Sequence, residues 1–100
     1  MPNTILDVPA DALAEVCRRY QVRELAVFGS AARGQAGPES DLDLLVDFEP
    51  DARIGFLALA ALARELSGLL GRRVDLVPKS GLKPLIRDEV LREAEVVFAA

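Results

Sequence analysis

Between Asp41 and Phe48 the chain alternates in a way that restricts its fold: Leu42, Leu44, Val46 and Phe48 fall on one face of an extended segment, and Asp41, Asp43, Leu45 and Asp47 on the other. A half-buried strand with an acidic face needs a sheet around it and helices over its apolar side. The neighbouring segments supply both. Glu24–Phe28 is a short apolar run stopped by Gly29 and predicts a buried strand, Val74–Val77 ahead of Pro78 predicts another, and Val96–Phe98 a short edge strand. Apolar residues recur at helical spacing from Pro9 to Tyr20 (Leu13, Val16, Cys17, Tyr20) and from Ile54 to Leu70 (Phe56, Leu59, Leu62, Ala63, Leu66), the second helix stopping at Gly71. A last helix is expected from Leu82 or Lys83 to Glu93, with Pro84 in its first turn. Ser30–Arg33 reads as a short helix ended by Gly34, and Gln35–Ser40 as a loop. Alternating helices and strands give an α/β class, a small mixed sheet flanked by helices, with no internal repeat.

Length and charge then limit what the sheet can carry. One hundred residues, 51% of them apolar, are expected to form a single domain spanning residues 1–100, without a separate substrate domain. Sixteen acidic against twelve basic residues leave a formal charge of −4, which argues against nonspecific binding to nucleic acid. Cys17 has no partner for an internal disulfide, and no basic-then-apolar leader opens the chain, so a cytoplasmic protein is expected. The most apolar stretch, Gly55–Leu70, is interrupted by Arg64, Glu65 and Ser67 and predicts no membrane span. With no histidine in the chain, imidazole bases are absent and any metal must be held by oxygen.

Chemistry concentrates at two places. Asp41 and Asp43, two apart on a strand, share a face with Cβ atoms roughly 6.5 Å apart. Paired carboxylates repel unless a cation lies between them, and the oxygen-only donor set points to Mg²⁺. Asp75 stands on the Val74–Val77 strand; if that strand neighbours the first, three carboxylates converge and suit two divalent ions roughly 3.5–4 Å apart, as in phosphoryl transfer. The Gly29-Ser30 turn closes its strand as a phosphate cradle: glycine admits a phosphate close to the backbone, and Ser30 adds a hydroxyl donor. Arg33, one turn further on, adds charge for the same phosphates.

Phe28-Gly29-Ser30-Ala31-Ala32-Arg33-Gly34, followed by Ser40-Asp41-Leu42-Asp43-Leu44 and later by Asp75, resembles the signature of the DNA polymerase β-type nucleotidyltransferase superfamily. The GSxARG form and the short chain resemble the minimal nucleotidyltransferases, the antitoxins paired with HEPN-domain toxins. The resemblance implies a polymerase β palm-like fold and a Mg²⁺-dependent enzyme that moves AMP from ATP to a hydroxyl with release of pyrophosphate. For the antitoxin branch it implies transfer to a tyrosine of the HEPN partner, silencing that partner's RNase activity. Position by position, it implies that Gly29 and Ser30 bind the β- and γ-phosphates. Asp41 and Asp43 hold both metal ions, and Asp75 holds the catalytic one and accepts the proton of the attacking hydroxyl. Two other functions stay open: a non-catalytic antitoxin that masks its toxin, and a subunit modifying small molecules of the aminoglycoside type. Val96–Ala100 is free to pair as an edge or to cover a partner, which leaves oligomer formation open.

The remaining polar residues read as ordinary surface. Asp47 is expected as a solvated carboxylate near a strand end, and Arg72 and Arg73 as solvent-facing charges at a strand start. Lys79, Lys83 and Arg87 read as a solvated basic end, and Cys17 as a small buried hydrophobe.

Overall fold

The computed structural model describes residues 8–29, 32 and 41–100. Helix α1 (Ala10–Arg19) leads into β1 (Val22–Phe28); β2 (Leu42–Phe48), α2 (Phe56–Leu70) and β3 (Val74–Pro78) then form a β-α-β unit. A single 3₁₀ turn (Lys79–Gly81) that the sequence pattern did not predict precedes α3 (Pro84–Glu93) and β4 (Glu95–Ala99). The strands form one sheet in the order β3-β2-β1-β4. β2 and β3 run parallel, whereas β1 is antiparallel to both β2 and β4, so the sheet is mixed, as expected.

Each boundary has a local cause. Pro9 caps α1 from outside the helix, Asp11 lies in its first turn and Arg18 and Arg19 in its last, each charge complementing the helix dipole. Gly71 ends α2 in the left-handed conformation, its N–H donating to the Ser67 carbonyl at 2.9 Å. Pro84 opens α3 at a position where its missing N–H costs nothing. β1 starts two residues before the expected Glu24, because Val22 is buried and Arg23 only interrupts the apolar run without ending the strand.

The alternation along β1 and β2 splits the core in two. Leu25, Val27, Leu42, Leu44 and Val46 face α1 and α2, meeting Leu13, Val16, Cys17, Leu62 and Leu66. Ala26 and Leu45 face the other way and pack with Leu82 and with Val90 of α3. Among the described residues the sheet is therefore covered on both faces, by two helices on one side and one on the other. Phe56, expected on the buried stripe of α2, is 84% exposed. It lies roughly a quarter turn from the centre of the Leu59, Leu62 and Leu66 stripe, so its spacing carries it off the buried face.

Candidate active site

The ends of three strands meet at one edge of the sheet. Phe28, the last residue of β1, is paired with Asp43 of β2, and Asp43 is in register with Asp75 of β3. Residues in register on neighbouring strands share a face, and strands lie about 4.8 Å apart, so the Asp43 and Asp75 carboxylates stand side by side. Asp41 comes just before β2, where the Leu42 N–H donates to the Arg73 carbonyl at 2.9 Å and ties the two strand starts together. Across the edge the order is thus Gly29 just after β1, Asp41 just before β2 with Asp43 on it, and Asp75 on β3.

Gly29 is required at its place for two separate reasons. Its φ of +71° lies in the left-handed region that side chains disfavour. A Cβ built there would lie 3.3 Å from Asp43 Cγ and closer still to Oδ2. The turn is therefore packed closely against the acidic strand at Asp43. Ser30 and Arg33, the other two residues expected in the phosphate cradle, lie outside the described residues.

One expectation about charge is corrected. Arg73 is solvent-facing as expected, its side chain 83% exposed, and its Nε also donates to Asp41 Oδ1 at 3.1 Å. Arg72 is half-buried, and its carbonyl accepts a hydrogen bond from Ser67 Oγ at 2.7 Å. With Asp41 turned onto Arg73, the three carboxylates converge by backbone position but not as a closed cage. Among the described residues no three His, Cys, Asp or Glu side chains are gathered to hold a metal ion as they stand. The donor set nonetheless fits a hard divalent cation, since Asp41, Asp43 and Asp75 offer oxygen only and share one edge of the sheet.

Next to Asp41 and Asp75 opens a pocket of ≈ 350 Å³. Arg64 and Ser67 of α2 and Arg73 form its polar walls, and Ala63 and Val74 its apolar part. Arg64 and Ser67 enter the sequence reading only as interruptions of an apolar stretch. The available signal was connectivity: a glycine-capped α2 leads through two residues into β3, which holds the last turns of α2 against the start of the Asp75 strand.

The remaining polar groups lie away from this edge. Asp47 is more than a solvated carboxylate, since it is half-buried and ion-paired with Arg23. That pair sits at the opposite end of the sheet, where Lys79 and Arg87 gather around it. Those two cations therefore do not serve the carboxylate edge. Cys17 is fully buried, and burial pushes its thiol pKa up to about 12, so it packs as a hydrophobe. Among the described residues no helix is long and apolar enough to cross a membrane.

A mixed sheet with a glycine turn packed on a strand carboxylate, and a further carboxylate in register, defines a nucleotidyltransferase fold. The family model for the nucleotidyltransferase domain matches residues 10–97, and the chain belongs to this family, among its minimal members. It is 49% identical over 83 residues to the protein adenylyltransferase MntA of Thermococcus cleftensis, covering 83% of this chain and 82% of that one. A solved structure described as a minimal nucleotidyltransferase is 45% identical, covers 95% of each chain and superposes with a TM-score of 0.76. An MNT antitoxin in complex with an AMPylated HEPN toxin from Shewanella oneidensis shares the fold at 18% identity and a TM-score of 0.65, over 91% of this chain and 70% of that one.

Proposed function

We propose that this chain is a cytoplasmic antitoxin that transfers AMP from ATP to a tyrosine hydroxyl of a HEPN-family toxin. The observation that carries the proposal is the register of Asp43 with Asp75 beside Gly29, because it sets a phosphate-admitting turn and neighbouring carboxylates along one edge. The likeness to MntA, named as a protein adenylyltransferase, supports the reaction type. The HEPN complex among the fold neighbours supports the kind of partner.

In this reading the backbone at Gly29, with Ser30 and Arg33, holds the β- and γ-phosphates. Asp41, Asp43 and Asp75 would hold two Mg²⁺ ions, which when bound supply phosphate charge neutralisation and an acidified hydroxyl. Asp75 sits at the outer strand and accepts the proton of the incoming hydroxyl. A chain without histidine has a carboxylate as its natural base here. Asp41 is engaged by Arg73 through the Nε contact, so its carboxylate would have to leave that contact to hold a metal ion.

The test is to incubate the chain with ATP, Mg²⁺ and the protein encoded beside it, and to follow the toxin by intact-mass spectrometry and RNase assay. The expected outcome is AMP-sized mass increments and loss of RNase activity, both absent with Asp41→Asn and Asp43→Asn. Neutralisation that survives both substitutions with no added mass would instead establish a masking antitoxin.

A further inference from the structure

We propose that the start of α3 is a docking ledge for the acceptor protein, formed by Leu85 and Ile86 and continued by Val77 towards Asp75. The identity of the partner rests on the adenylyl-transfer reading, while the ledge itself is a feature of the described residues. Alternation along the strands decides which side of the sheet a partner meets. Leu42, Leu44 and Val46 point to α1 and α2 and Leu45 points to α3, so Asp43 shares the α3 side with Leu45. Val74 and Leu76 pack against the α1–α2 core and Val77 against the α3 core, so Asp75, in register with Asp43, opens on the α3 side as well. A hydroxyl carried by another protein must approach these carboxylates over that side, and the protein around it comes to rest on what borders them there.

That border is apolar. Asp75 and Val77 are two apart on one face of β3, roughly 6.5 Å, and Val77 packs beside Leu82 and Val90. Ile86 lies one helical turn before the buried Val90, on the same stripe of α3, yet it is 45% exposed, so the sheet does not cover it. Leu85 beside it is 98% exposed. Burying these two side chains is favourable, and the fold of the chain leaves that stabilisation unused. Phe56 and Leu57 are as exposed, but they open α2, which covers the opposite side of the sheet, and they border no carboxylate. The ledge therefore fits a folded partner with an apolar patch close to the hydroxyl it offers. A small-molecule acceptor gains nothing from it.

The test compares full-length Leu85→Glu, Leu85→Arg and Phe56→Glu chains with wild type, using the toxin encoded beside the chain. Leu85 touches almost nothing in the fold, so its variants should melt as wild type does. Both should bind the toxin at least about tenfold more weakly, whatever the sign of the new charge. Phe56→Glu should bind as wild type. With ATP and Mg²⁺, the Leu85 variants should raise KM for the toxin while kcat, and the affinity for a non-hydrolysable ATP analogue, stay unchanged. Unchanged toxin affinity and KM in the Leu85 variants, or an equal loss in Phe56→Glu, would overturn the ledge and leave the adenylyl-transfer reading standing. An effect confined to self-association of the chain, followed by light scattering, would also overturn it, in favour of a second copy on this surface. Toxin binding that depends on Leu85, with no AMP added by the wild-type chain, would overturn the reading and not the ledge.

Discussion

Gly29 and Gly71 hold nearly the same left-handed φ, +71° and +68°, and differ in what surrounds them. A Cβ at Gly71 would meet nothing within 4 Å, whereas one at Gly29 would run into the Asp43 carboxylate. Alanine at either position pays the left-handed cost, about 1–2 kcal/mol. For a domain of this size that lowers Tm by roughly 5–15 °C. Gly71→Ala should stop there, with transfer per folded molecule unchanged. Gly29→Ala should lose a similar amount of stability and, in addition, at least tenfold in AMP transfer, because the new methyl displaces Asp43 from the edge it shares with Asp75. Thermal melts and transfer rates measured on the pair separate backbone strain from damage to the site. Equal activity in the two variants would show that the Gly29–Asp43 contact does not matter for transfer.

Helices α1 and α2 are joined by a polar clasp on their outer side. Tyr20 Oη and Arg19 Nη1 both donate to the Glu65 carboxylate, and Arg19 also lies 3.6 Å from Glu15. The Tyr20 hydrogen bond, helped by Arg19, holds the Glu65 carboxyl below its ordinary range, and the same bond raises the Tyr20 pKa. A carboxyl depressed in the folded state stabilises folding above its unfolded pKa of about 4.3 and stops doing so as pH falls through its folded value. Glu65→Gln should therefore melt a few degrees below wild type at pH 7, and the two melting curves should converge on acidification past pH 4. A gap that stays constant with pH would mean that the clasp acts through packing and not charge. Nothing in the sequence pattern announces this clasp, since Glu65 and Tyr20 are far apart in the chain and only the packing of α1 on α2 brings them together. The same limit governs the site. The alternation of Leu42 to Phe48 made β2 and its acidic face legible, and the proline and glycine stops set the helix ends to within a residue or two. Which strand neighbours β2, and in which register, depends on pairing across the whole sheet, so the Asp43–Asp75 juxtaposition stayed conditional until the fold was known. The contact of the solvent-facing Arg73 with Asp41 was hidden for a related reason: the backbone bond between the strand starts brings the two together.

At the scale of the whole molecule the carboxylate edge is held by two cores that share one sheet. β1 and β2 contribute alternate residues to each: Leu25 and Val27 to the α1–α2 side and Ala26 to the α3 side, Leu44 and Val46 against Leu45. Peeling α3 away would uncover Ala26 and Leu45 on the strands that also carry the main core. The two layers should therefore unfold as one cooperative unit. The chain has one tyrosine and no tryptophan, so tyrosine fluorescence reports only on Tyr20, at the α1–α2 clasp. Far-UV circular dichroism reports on all three helices. Val90→Ala removes two methyl groups from the α3 core and should cost roughly 1–3 kcal/mol, a sizeable share of a typical domain's 5–15 kcal/mol. If the molecule is one unit, the urea midpoint followed by Tyr20 fluorescence falls together with the midpoint followed by circular dichroism, although Val90 and Tyr20 lie on opposite sides of the sheet. A fluorescence midpoint that stays at the wild-type value while the circular dichroism midpoint falls would mean that α3 detaches by itself. The face of the sheet carrying Asp43 and Asp75 would then be able to open without unfolding the rest.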